Sequence, residues 1–306
     1  MTCQDIDSTE NLCNHLIEGG FCTLPDKFRC EEWLKSNSVS LSFSAIRSFA
    51  QCHRRFYWAY IEGLERIDKP IRMLMGEIAS KCLRDIHEFK GDQLSTILAE
   101  YQGDEEVTKE LAALMGSFLA YREMYSDIKG KAEYEFKWKE DELTVHGFVD
   151  LANKFLDDGL PYHGWEFKYT NRPGNYSKFN LSSQLGTYFL GVPTLKVITV
   201  RLIQVPELRP GKDETMDEYS ERVYQDVKRR PKHYINDTKY WREEFNYEEI
   251  KFRIKRIVKD IKNYAKLGMK SYYQNEMACF WPSQCDYYNI CESGCISDSL
   301  YKRRGK

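Results

Sequence analysis

Three successive runs with a two-residue period lie between Tyr134 and Tyr169, and this stretch constrains the fold more than any other part of the chain. Tyr134 to Trp138, Leu143 to Leu151 and Gly164 to Tyr169 read as antiparallel strands, divided by the charged turn Lys139 to Glu142 and by the turn Asp157-Asp158-Gly159. After a polar loop at Pro173-Gly174, Leu181 to Leu190 reads as a helix and Val197 to Val205 as a buried, β-branched strand. The centre of the chain is therefore mixed α/β.

Helical periods flank this centre. Behind Ser42 or Ser44 as a cap, Ile46, Phe49, Ala50, Tyr57 and Tyr60 predict a helix running to about Tyr60. Further helices are expected over Leu74 to Phe89 and over Val107 to Tyr125, the latter with Leu111, Leu114, Phe118 and Tyr121 on one stripe. Two capping boxes, Thr215 with Glu218 and Asn246 with Glu249, open later helices. The second carries Ile250, Ile254, Ile257, Ile261 and Tyr264 on one face, as a core-packed amphipathic helix does. No repeat or low-complexity tract interrupts the 306 residues. They are read as one elaborated domain in four segments: 1–41 of unassigned role, a helical region 42–130, a mixed core 131–210 and a helical region 211–306.

Composition excludes some classes. No apolar run approaches the ~20 residues of a membrane-spanning helix, and the first residues lack the basic-then-apolar pattern of a secretory signal, so the cytosol is the expected compartment. Ten cysteines in such a chain point to metal ligation or buried thiols rather than a disulfide framework. A net charge of -2 gives no global attraction to nucleic acid. The Lys- and Arg-rich stretch Lys228 to Lys270 reads either as a local basic face or as solvated helix surface, against the acidic stretches Asp104 to Glu110 and Asp213 to Glu221.

The strand meander carries the chemistry. Gly147-Phe148-Val149-Asp150 precedes the turn at Asp157, and Trp165-Glu166-Phe167-Lys168 follows it. Alternation places Glu166 and Lys168 on one face with Phe167 on the other, and a hairpin brings Asp150 beside them. Converging carboxylates suit Mg²⁺ or Mn²⁺, and the adjacent lysine can position a water for attack on a phosphodiester. Glu-x-Lys occurs four times in the chain, but only the Glu166 instance follows an apolar strand ending in Asp across a short turn. Gln184 and Tyr188, four residues apart, share a helical face.

The order GFVD, WEFK, QLGTY resembles the RecB-type branch of the PD-(D/E)xK nucleases. The resemblance implies a restriction-endonuclease-like core, a mixed central sheet flanked by helices. It also implies metal-binding roles for Asp150 and Glu166, a water-positioning role for Lys168 and substrate-supporting roles for Gln184 and Tyr188. That family commonly carries Gly-x3-His on an earlier helix, its His an extra metal ligand. Here Gly76 is followed by Ser80 at that point, and His87, two helical turns on, is the candidate substitute.

Cys52 stands among basic and aromatic residues on the first helix, and Cys279, Cys285 and Cys291 follow at intervals of six near the C-terminus, with Cys295 beyond. Four such thiolates can serve one centre, an iron-sulfur cluster or a structural zinc, with Cys295 as an alternative to Cys279. The pattern resembles that of 4Fe-4S nucleases of the AddB type, CRISPR-associated exonucleases and phage relatives. This implies Cys52, Cys279, Cys285 and Cys291 as cluster ligands joining the helical N- and C-terminal regions. Cys3, Cys13, Cys22, Cys30 and Cys82 are read as buried or free thiols. The expected function is a metal-dependent exonuclease on single-stranded DNA or strand ends, with Arg54, Arg55, Phe56 and Tyr57 as strand contacts. A non-catalytic DNA-binding partner of the same fold, motivated by Ser80, is the alternative.

Overall fold

The computed structural model describes residues 39–88, 105–176, 182–281 and 283–304. The readings for Phe89, Leu181 and the four cysteines before residue 39 lie outside the described residues. In chain order the elements are β1 (Val39–Ser42), α1 (Phe43–Gln51), β2 (Leu64–Arg66), α2 (Ile71–Glu88), α3 (Glu105–Tyr125), β3 (Lys131–Glu140), β4 (Leu143–Phe155) and β5 (Pro161–Thr170). There follow α4 (Ser183–Gly191), β6 (Val197–Gln204), α5 (Met216–Arg229), β7 (Ile235–Trp241), α6 (Tyr247–Leu267), α7 (Glu276–Phe280), α8 (Tyr288–Ser293) and β8 (Tyr301–Arg303).

The chain forms two compact units that are interleaved in sequence rather than consecutive. Among the described residues, one comprises those from Val39 to Asp68, Lys139–Val145 and those from Glu248 onward; the other comprises those within Lys69–Trp138 and His146–Tyr247.

The second unit is built on a mixed sheet. β4 pairs antiparallel with β5, with Leu151 opposite Trp165. β5 pairs parallel with β6, with Glu166 opposite Val200, and β6 pairs antiparallel with β7. The parallel pair requires a crossover, which α4 supplies. Pro161 to Phe167 of β5 is buried except Tyr162, as a strand covered on both faces must be. A single apolar cluster collects Ile78, Leu83, Leu114, Phe118, Leu151, Phe167 and Val223, from α2, α3, the sheet and α5. α3 and α5 approach closely because Gly116 has no side chain: a Cβ there would stand 2.2 Å from the carbonyl oxygen of Ser220. Gly191 plays the same part at the end of α4, where a Cβ would strike the Phe136 ring at 2.2 Å.

The expected capping box at Thr215 and Glu218 is present and opens α5. β7 was not foreseen. Only Ile235 and Tyr240 of its seven residues are buried, so the apolar signal is too sparse to mark a strand.

In the first unit, β1 aligns with the chain entering β4, Val39 N–H donating to the Glu142 carbonyl at 2.8 Å. The helix expected to reach Tyr60 breaks at Cys52, whose backbone is extended at φ -160° and ψ 119°. A short helix, His53–Phe56, and a π-turn, Tyr57–Ile61, then resume the rotation. Helical spacing survives the break because Phe49, Phe56 and Tyr57 all bury in the same unit. α6 buries Ile250, Ile254, Val258, Ile261 and Ala265, while Ile257 is half-buried at the edge of the stripe. β2 and β8 form a separate antiparallel pair.

Candidate active site

Strand register assembles the acidic site within the second unit. Because Leu151 pairs with Trp165, Asp150 falls beside Glu166, and the amide of Phe167 donates to Asp150 Oδ2 at 2.8 Å. Glu166 is wholly buried beneath α4. An uncompensated carboxylate there would be prohibitive, and three donors meet it. Gln184 Nε2 donates to its Oε1 at 2.9 Å, Tyr188 OH donates to its Oε2 at 2.8 Å, and the Lys168 ammonium is ion-paired with Oε1. Gln184 also donates to the Tyr188 hydroxyl at 2.8 Å, so the two residues four apart on α4 act as one clamp. Ser182 caps that helix and fixes its first turn.

The electrostatics follow from this crowding. Burial and the neighbouring Glu166 charge push the Asp150 carboxyl up to about 7, although Lys168 and the Phe167 amide oppose the rise. Burial alone would lower Lys168, but Glu166 and Asp150 outweigh it and hold the ammonium firmly protonated. Burial and both carboxylates likewise keep Tyr188 a neutral phenol.

A small cavity of about 40 Å³ opens on this site, lined by Asp150 and Phe167 together with Ser80, Arg84 and His87 of α2 and Glu133 of β3. Ser80 therefore stands at the cavity. His87 lines it too, but its ring is committed elsewhere. Nδ1 lies 2.7 Å from the Ile128 carbonyl, which only accepts, so this nitrogen carries the proton; Nε2 then accepts from Tyr121 OH at 2.9 Å. Burial lowers His87 to about 4, in keeping with that neutral tautomer. The reading of His87 as a substitute metal ligand is corrected: neither ring nitrogen has a lone pair to offer. Instead its ring stacks on Phe167 at 5.1 Å, on the face of β5 opposite Glu166.

A model of the PD-(D/E)XK nuclease superfamily matches residues 40–292. The chain belongs to this superfamily. A crystal structure of a phage-related exonuclease from Haemophilus somnus 129PT aligns with a TM-score of 0.30 and 12% identity, covering 62% of this chain and 92% of that one, a distant similarity that adds nothing to the assignment. No curated protein matches the chain. The mixed α/β fold, a central mixed sheet flanked by helices, is consistent with the restriction-endonuclease-like core of the superfamily.

Superfamily nucleases usually employ Mg²⁺ or Mn²⁺, and the donor chemistry here fits a hard cation. Two adjacent carboxylates, Asp150 raised to about 7 by burial and by the Glu166 charge, offer oxygen ligands, and Asp150 lines a cavity large enough for water. Among the described residues no group of three or more His, Cys, Asp or Glu side chains is arranged to hold a metal ion, so the protein's share would be two carboxylates, a number Mg²⁺ accepts when water or substrate phosphate fills the rest.

The cysteines of the first unit are less organised. Cys52, Cys279, Cys285 and Cys291 are free thiols, as is Cys82 of the second unit, whereas Cys295 is disulfide-bonded and so is withdrawn as an alternative to Cys279. Burial pushes Cys285 up to about 11 and raises Cys291 as well, so both are neutral thiols. The expected cluster joining the terminal regions is thus not a preformed arrangement among the described residues. Local donors do point at the sulfurs: the Asn275 amide to Cys52 Sγ at 3.4 Å and Gln274 Nε2 to Cys279 Sγ at 3.2 Å.

Two further expectations change. Phe56 and Tyr57 are fully buried and cannot stack on a strand, while Arg54 Nε donates to the Tyr272 carbonyl at 2.6 Å and Arg55 pairs with Asp286 at 3.5 Å. The basic stretch is largely paired surface: Lys228 with Glu123, Arg230 with Asp226, Lys255 with Glu140 and Lys262 with Glu142. Sequence reading missed Arg84 and Glu133, which share no motif with Asp150; only the packing of α2 and β3 brings them to its cavity.

No helix among the described residues is long and apolar enough to cross a membrane.

Proposed function

We propose that the chain is a divalent-metal-dependent deoxyribonuclease acting on single-stranded DNA or strand ends. The observation that carries this reading is the Asp150–Glu166 pair held by the Phe167 amide and by the Gln184–Tyr188 clamp, with Lys168 ion-paired to it. A cation held by Asp150 and Glu166 would acidify water and neutralise phosphodiester charge. Lys168, protonated at any neutral pH, hydrogen-bonds and positions the attacking water. Gln184 and Tyr188 support Glu166 by fixing both its oxygens, a positioning role. Lys168→Ala should abolish metal-dependent cleavage of end-labelled DNA while circular dichroism remains native; unchanged cleavage would overturn the proposal.

Ser80 at the cavity favours a second reading, a DNA-binding partner that keeps the fold without turnover. Saturable DNA binding with no hydrolysis in Mn²⁺ would select it.

We further propose that Cys52, Cys279, Cys285 and Cys291 ligate a 4Fe-4S cluster, with zinc as the alternative metal. In support, all four belong to one compact unit, Cys52 is close enough to influence the ionisation of both Cys285 and Cys291, and Cys279 that of Cys291. Backbone and side-chain N–H donors at the sulfurs are what cluster thiolates ordinarily receive. Elemental analysis of anaerobically purified protein separates iron from zinc, and the absence of both would overturn the assignment.

A further inference from the structure

The cavity at Asp150 contains a cation that the catalytic scheme does not use. Lys168 is consumed by the carboxylates. Arg84, one helical turn after Ser80 on α2, lines the same cavity, with its guanidinium ion-paired to Glu133 Oε2 at 2.9 Å. Both partners are partly open to water, at 38% and 53% side-chain exposure, so the pair is weakly held and exchangeable. Glu133 stands at φ 47°, in the left-handed region that a non-glycine residue occupies only when its surroundings hold it; next to it the Ala132 amide is tied to Glu88 Oε1 at 2.9 Å. The backbone that carries the acidic partner is thus held, and the two charged groups meet at the ends of flexible stems.

Around this cavity carboxylates outnumber cations among the described residues, and a phosphodiester has to approach Asp150 and Glu166 to react. A guanidinium at the rim is the group suited to receive it, because its planar fork matches two phosphate oxygens. We propose that Arg84 binds a backbone phosphate of the DNA strand entering the site, and that Glu133 is the intramolecular stand-in for that phosphate when no strand is bound. This rests on the nuclease reading above, which names the substrate class.

The test is equilibrium binding of a labelled single-stranded oligonucleotide at several salt concentrations, in Mg²⁺, with all variants carrying Lys168→Ala to block turnover. Arg84→Ala should weaken binding about tenfold, the scale of a lost charged hydrogen bond. It should also flatten the dependence of log K on log salt by about 0.7, one phosphate contact on a single strand. Arg84→Lys should restore the slope with only part of the affinity. Glu133→Gln should tighten binding, because it removes the competitor. A merely structural ion pair predicts the opposite pattern, with Arg84→Ala and Glu133→Gln weakening binding alike; that result, or an unchanged slope in Arg84→Ala, overturns the proposal. Mn²⁺ affinity, measured without DNA, should not fall in Arg84→Ala, because the substitution removes a cation and frees the Glu133 charge beside Asp150; a fall would mean that Arg84 maintains the site rather than contacts phosphate, and would overturn the proposal. The wild-type chain is assayed for cleavage separately: binding that follows this pattern without cleavage removes the nuclease reading and leaves Arg84 as a phosphate contact.

Discussion

The carboxylate site and the cysteine region differ in how far their polar groups are already engaged. At the first, every polar group is engaged before any ion arrives: both Glu166 oxygens have donors, and Asp150 has the Phe167 amide. At the second, Cys285 and Cys291 remain neutral, raised by burial. The difference comes from sequence distance. Asp150 and Glu166 are joined by one hairpin, and Gln184 and Tyr188 by one helical turn, so local geometry suffices. Cys52 lies more than two hundred residues before Cys279. A metal centre there, as proposed, would draw on ligand binding energy to close a long loop.

That contrast can be broken at several points. The largest effect is expected from Lys168→Ala, which should lower cleavage by about 10²-fold or more, the scale of a lost proton-handling group, with the melting temperature little changed. Next, Cys285→Ser should remove bound metal and lower the melting temperature, while Mn²⁺ binding at the carboxylates persists. A protein whose metal content and melting temperature ignore that substitution would break the contrast from the cysteine side. His87→Ala, leaving the Ile128 carbonyl and Tyr121 hydroxyl without their partner and removing the stack on Phe167, should destabilise by about 2–4 kcal/mol in urea titration. Tyr188→Phe should reduce cleavage about tenfold by freeing one Glu166 oxygen, with a smaller change in substrate KM.

Two pH dependences sharpen it further. On the proposed reading Asp150 would bind a cation as the carboxylate, and burial with the Glu166 charge raises its carboxyl to about 7, so Mn²⁺ affinity should fall about tenfold per pH unit as pH drops below that value. His87 has the opposite relation to the fold. Its folded value of about 4 lies below the 6.5 of the unfolded chain, so the unfolded state takes up the proton first. The stability it contributes is complete above 6.5 and lost as pH falls toward 4. His163, also lowered to about 4 by burial, adds to the same window. Asp150, raised to about 7 in the fold, takes up its proton earlier there than in the unfolded chain and opposes the two histidines, so urea midpoints measured from pH 7 to 4 should show a net decline that is shallower in His87→Asn.

Sequence alone determined the strand meander, the α4 helix, the Thr215 capping box, the hairpin that sets Asp150 beside Glu166 and Lys168, and the shared helical face of Gln184 and Tyr188. Each of these depends on periods of two or four residues, which backbone geometry enforces locally. Tertiary structure decided the rest. It broke the first helix at Cys52 and added β7, whose polar residues carry no periodic signal. It turned His87 away from metal chemistry by engaging both ring nitrogens, and it set Arg84 and Glu133 beside Asp150. Those outcomes depend on which side chains face one another across separate elements. A one-dimensional pattern records the face that a residue occupies, but not the partner it meets there.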